Sequence, residues 1–98
     1  MNTNTTRVVI TGMGIISPLG NDVDIFWDKL IHGISGIGPM TLCDTTDYPC
    51  KIAGEASEFD PHEFIEAKES NHLSRFIQIA IASALIAVEN SQLNLSEI

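Results

Sequence analysis

Residues 7–20 read RVVITGMGIISPLG, and the rest of the chain is arranged around them. Val8, Val9 and Ile10 are a continuous β-branched run. Without polar alternation, such a run predicts a strand buried on both faces, as in parallel sheets covered by helices. Gly12 and Gly14 follow at once. A glycine there permits a positive φ or a close approach of the backbone to another segment. Pro18 then carries the chain round an apolar corner. A dinucleotide-binding turn is the obvious competitor, and it fits poorly. Ser17 stands where the third glycine belongs, and Pro18 disfavours helical geometry at Ser17. No strand ending in an acidic residue follows at the distance that fingerprint requires. Both glycines are therefore read as structural.

At 98 residues the chain is at most one domain. A net charge of −8, with only five Lys and Arg residues in total, excludes the cationic cluster that nucleic acid needs. Residues 1–6 are polar, lack a basic start and are expected to be disordered. With no secretory signal expected, the predicted compartment is the reducing cytoplasm. Cys43 and Cys50 match neither a CxxC nor a zinc-knuckle spacing, and His62 and His72 follow irregularly. The cysteines read as two isolated packing or surface thiols, with no metal or cofactor site expected.

Asn21 is the expected N-cap of a first helix, with Asp24 closing a capping box. Val23, Phe26, Trp27, Leu30 and Ile31 form one apolar stripe of that helix. Gly33 is placed as its C-cap, and His32 as a helix-end residue. Residues 33–49 read as irregular, with a tight turn over Ser35, Gly36, Ile37, Gly38 and Pro39. Residues 51–55 predict a short edge strand, with Gly54 as a bulge. Asp60 and Pro61 are the N-cap and first residue of a second helix, whose outer face carries Glu63, Glu66 and Glu69. Ser74 caps a third helix, from Arg75 to about Ser91. From Phe76 to Val88 this helix is apolar nearly all round, over a length of about 20 Å. The hydrocarbon region of a membrane needs about 30 Å, so the helix belongs in a protein interior. Its small residues, Ala80, Ala82, Ser83, Ala84 and Ala87, permit close approach to a sheet or another helix. Leu93, Asn94 and Leu95 read as a loop, with a further strand due near Ile98. One buried strand and one all-round apolar helix need more cover than this chain supplies. The expectation is the N-terminal piece of a larger α/β body, folding poorly when isolated.

The order of these signals resembles the start of the β-ketoacyl-acyl carrier protein synthases, especially the elongating type II kind. The resemblance runs from RVVITGMGIISPLG through Phe26-Trp27, GISGIG at 33–38, Asp47-Tyr48-Pro49 and KIAG at 51–54. It continues through Phe59-Asp60-Pro61, Lys68-Glu69 and Arg75-Phe76 to the alanine-rich helix. It implies that residues 7–98 are the N-terminal portion of a synthase domain. That domain has a thiolase-type α/β fold in five layers (α-β-α-β-α), incomplete here, and is usually a homodimer. It also implies decarboxylative Claisen condensation with malonyl-carrier protein, through a cysteine nucleophile and two histidines. None of those catalytic positions falls within this segment, so no catalytic residue is assigned and the segment alone is expected to be inactive. The acyl carrier protein is the implied partner. Relatives carry two basic residues where this chain has Asn71 and His72, which leaves Lys68 and Arg75 as a weakened carrier-protein-binding pair. A non-catalytic interaction module, or a degenerate product of the same fold, is the alternative.

Overall fold

Gly12 and Gly14 press the opening stretch onto a long helix, and the described residues, 5–97 of this computed structural model, are built outward from that contact. The elements are α1 (Val23–Ile31), β1 (Ile37–Pro39), β2 (Ile52–Gly54), α2 (Ala67–Ser70) and α3 (Arg75–Ser91). Short 3-10 turns occupy Pro61–Glu63 and Leu95–Glu97, the latter where a loop is expected. Of the expected disordered segment, Thr5 and Thr6 are exposed without regular structure; residues 1–4 lie outside the described residues, as does Ile98.

On α3, Ser83, Ala87 and Ser91 recur every fourth residue and so share one face. The glycines meet that face. A Cβ at Gly12 would lie 2.5 Å from the Ala87 carbonyl oxygen and 2.6 Å from the Ser91 nitrogen. One at Gly14 would overlap the Ser83 carbonyl oxygen and stand 2.7 Å from the Ala87 nitrogen. Between them, the Met13 N–H donates to Asn90 Oδ1 at 3.0 Å. The glycines thus serve close approach, and neither has a positive φ. Farther along, Pro18 lies against Gly36 and Gly54, so the same stretch touches both α3 and the two-stranded ribbon.

The expected buried strand at residues 8–10 does not form. Val8, Val9 and Ile10 are 89%, 67% and 84% exposed, and residues 5–16 make no strand. A strand exists only where a neighbour pairs its N–H and C=O groups, and the described residues supply none here. Likewise α3 is enclosed only at Ala82, while Phe76 is 73% exposed. The total accessible area of 7873 Å² compares with about 5,500 Å² for a closed globule of this mass. The radius of gyration, 17.8 Å, exceeds the roughly 13 Å of a compact domain of this length. Large apolar faces are open.

Helix α1 begins one residue later than expected. Its N-cap is Asp22, whose extended backbone (φ −130°, ψ 133°) lets Oδ1 accept from the N–H groups of Asp24 (2.8 Å) and Ile25 (3.2 Å). A carboxylate at the positive helix end outcompetes the neutral Asn21 amide, so no Asn21–Asp24 capping box forms. The C-cap falls one residue before the expected Gly33, which stands just past it. Gly33, at φ +67°, donates to the Leu30 carbonyl at 3.1 Å, and Ile34 donates to Lys29 at 3.0 Å. That pair of reversed bonds is a Schellman stop, with His32 as C-cap.

The expected tight turn at 35–39 is instead β1, paired antiparallel with β2 in the register Ile37–Gly54, Gly38–Ala53 and Pro39–Ile52. Gly54 sits in that register and is not a bulge. Pro39 is tolerated because the sheet has only two strands, so each is an edge. The loop that joins them is held by Glu55. Its carboxylate accepts from the Leu42 N–H (3.0 Å), the Thr41 N–H (2.9 Å) and the Thr41 hydroxyl (3.0 Å). The Leu42 and Thr41 amides hold the Glu55 carboxyl below its ordinary value of 4.5. In the same loop the Thr46 hydroxyl, then its N–H, lowers Asp44 below 3.8. A depressed folded-state pKa adds stability that is complete above the unfolded value and is lost as pH falls through the folded one. The Thr41 and Leu42 amide resonances are therefore expected to titrate with a midpoint below 4.5, and to lose that transition in Glu55→Gln. A midpoint at or above 4.5 in the wild-type chain would refute the clamp.

Candidate functional site

The two residues singled out for carrier-protein binding flank the corner where the second helical region turns into α3. The expected second helix breaks into two pieces there. Asp60 caps the first, accepting from the His62 N–H at 3.0 Å, with Pro61 in the first position as expected. The piece ends at Glu63, and Glu66 is extended (φ −55°, ψ 140°), so α2 starts afresh at Ala67. The interruption turns Ile65 inward, to 7% exposure, beside Phe59 at 5%. Phe59 and Phe64 stack with centroids 6.2 Å apart at 29°. Gln78 of α3 reaches back and donates to the carbonyls of Ser70 (2.9 Å) and Leu73 (3.3 Å). Ser74 starts α3 by backbone conformation alone, and its side chain makes no capping bond.

Lys68 stands exposed on α2, with Glu66 and Glu69 as near neighbours in sequence and no salt bridge to either. Arg75 is placed differently. Its Nη2 donates to the Ala56 carbonyl at 2.8 Å, and its guanidinium carbon lies 5.0 Å from the centroid of the Phe59 ring. That combines a charge-assisted hydrogen bond with a cation–π contact. Sequence spacing offered no sign of this engagement, because Ala56 and Phe59 are distant in the chain. Asn71 and His72 are exposed at the end of α2.

Other clusters are chemically quiet. Cys43 and Cys50 are exposed free thiols, as expected, and the Cys50 thiol donates to the Ile52 carbonyl at 3.4 Å. His32 and His62 lie beside Asp28 (3.4 Å) and Asp60 (3.7 Å) in exposed pairs. Among the described residues, no three His, Cys, Asp or Glu side chains converge as a metal site. No described helix is long and apolar enough to cross a membrane. A cleft of about 230 Å³ opens between α1 and α3, lined by Met13, Asn21, Asp22, Asp24, Ile86 and Asn90. Asn21 Oδ1 is buried without a partner.

Residues 5–98 match the family model described as the β-ketoacyl synthase N-terminal domain. The chain belongs to the β-ketoacyl synthase family. It is 44% identical over 91 residues to a 3-oxoacyl-(acyl-carrier-protein) synthase 2 of Staphylococcus aureus strain COL, covering 93% of this chain and 22% of that protein. It is 36% identical over 97 residues to the synthase of the same name from a Synechocystis species, covering 99% of this chain and 23% of that one. Among solved structures, the ishigamide ketosynthase/chain length factor superposes with a TM-score of 0.82 at 32% identity, over 92% of this chain and 22% of the matched one. The chain therefore spans about a fifth of the length of the curated relatives it matches. It carries the N-terminal part of the ketosynthase, thiolase-type α/β fold. In this chain the Gly12–Gly14 contact with α3 is a packing joint, and helix backbone fills the space a phosphate would need.

Proposed function

We propose that this chain is the N-terminal segment of a cytoplasmic 3-oxoacyl-acyl-carrier-protein synthase that lengthens acyl chains by decarboxylative condensation with malonyl-carrier protein. The observation that carries this reading is the family match running unbroken through residues 5–98. The open apolar faces agree with it, since a segment of a larger α/β body must leave surfaces for the remainder to cover. The segment's part in the reaction is architectural. It supplies the α3 joint and the ribbon, while the thiolate nucleophile and the two histidines belong to the rest of the synthase. Acyl carrier protein is the partner, with Lys68 as an exposed cation of the docking face that has no salt bridge to its neighbouring glutamates. A homodimer is the working assembly.

The test compares two lengths of polypeptide. The full-length synthase carrying this segment is expected to make 3-oxoacyl product from acyl- and malonyl-carrier protein. The 98-residue chain is expected to make none, and to melt without a cooperative transition. Turnover by the short chain would overturn the assignment of chemistry to the remainder. A reading frame that stops after this segment, before an unrelated gene, would favour the interaction-module alternative.

A further inference from the structure

We infer that Arg75 is a positioning residue, which fixes the corner that presents Lys68 and does not itself meet the carrier protein. The inference rests on the docking role proposed above for Lys68. Arg75 is exposed, yet its guanidinium is engaged twice within the chain. One N–H is spent on the Ala56 carbonyl at 2.8 Å, and the cationic plane lies over Phe59. Phe59 is 5% exposed and stacks on Phe64, which leads into the extended Glu66 hinge before α2. Arg75 thus ties the start of α3 to the turn at residues 56–59, and through the two rings to the segment that sets the position of α2. Gln78 fastens the other end of α2 through the Ser70 and Leu73 carbonyls. Lys68 lies between these two fastenings on a helix of only four residues. Such a helix has little stability of its own, so its orientation follows its anchors. An exposed lysine that governs encounter with an acidic partner acts through long-range attraction, which salt screens. A guanidinium held by a carbonyl and a ring acts through geometry, which salt leaves alone.

The experiment uses the full-length synthase carrying this segment and three variants: Lys68→Gln, Arg75→Gln and Arg75→Lys. KM for malonyl-carrier protein is measured across a range of salt concentrations, with amide hydrogen exchange followed in parallel. Lys68→Gln is expected to raise KM roughly two- to five-fold at low salt, the range of an exposed charge pair, and to flatten its salt dependence. Arg75→Gln is expected to raise KM by a similar factor while keeping the wild-type salt slope, and to speed exchange at residues 56–59 and 67–70. Arg75→Lys keeps the charge and loses the planar fork, so it is expected to resemble Arg75→Gln in exchange. A flattened salt slope in Arg75→Gln would overturn the inference, because Arg75 would then meet the carrier directly. An unchanged KM with faster exchange would overturn it too, by reducing Arg75 to a stability role. If Lys68→Gln changes neither KM nor slope, the Lys68 docking reading fails; the exchange data still report whether Arg75 holds the corner.

Discussion

Gly14→Val is expected to lower unfolding stability by about 3 kcal/mol, the upper end of overpacking effects. Glycine replacements usually pull the other way. Adding a Cβ where the backbone tolerates it stabilises by about 0.4–1 kcal/mol, by restricting the unfolded chain. Here the backbone conformation at Gly14 is permissive, since its φ is not positive, and the steric term decides the sign. The new Cβ would overlap the Ser83 carbonyl oxygen and crowd the Ala87 nitrogen. Both are helix backbone, so no rotamer change relieves them. Shortening the side chain by Ser83→Gly is accordingly expected not to rescue the variant. Gly12→Val meets the Ala87 carbonyl and the Ser91 backbone in the same way. The measurement is denaturant unfolding of the full-length synthase, with exchange protection of α3 as the local readout. Unchanged or increased stability would show that residues 12–14 do not seat on α3.

Phe59→Ala is expected to remove about 3–5 kcal/mol, the usual range for emptying a buried phenylalanine site. Phe59 is 5% exposed, in a segment with few other enclosed apolar side chains. The loss has three parts. The largest is burial and the cavity left behind. Stacking on Phe64 at 6.2 Å contributes about 0.5–1.5 kcal/mol. The Arg75 guanidinium at 5.0 Å contributes about 0.5–1 kcal/mol. Phe59→Leu keeps most of the burial and drops both aromatic parts, so it is expected to cost about 1–2.5 kcal/mol. A double-mutant cycle pairing Phe59→Leu with Arg75→Met should return a coupling of about 0.5–1 kcal/mol. Additive effects would refute the cation–π contact, and a Phe59→Ala variant as stable as wild type would refute the corner itself.

Features written in a few consecutive residues were legible from the chain alone. Gly33 ends α1 in a left-handed conformation, Asp60 and Pro61 open a helical turn, and α3 runs from Arg75 to Ser91. Each depends on backbone bonds between near neighbours, so local chemistry suffices. The choice of Asn21 over Asp22 as N-cap missed by one residue, because both are competent caps and charge decides between them. The candidate site was half legible. Lys68 is exposed on α2, as its surroundings suggest, while the stacking of Arg75 on Phe59 has no local signature.

By itself the sequence determined the family, the helices α1 and α3 to within a residue or so, and the need for small residues at Gly12, Gly14 and along α3. Only the tertiary structure decided what those residues are for. It set Gly12 and Gly14 on the Ser83–Ala87–Ser91 face, turned an expected loop at Ile37–Pro39 into a strand, and left Val8, Val9 and Ile10 without one. The reason is the range of the interactions. A helix satisfies its backbone within four residues, whereas a strand or a close-packed joint exists only when a distant segment arrives to complete it.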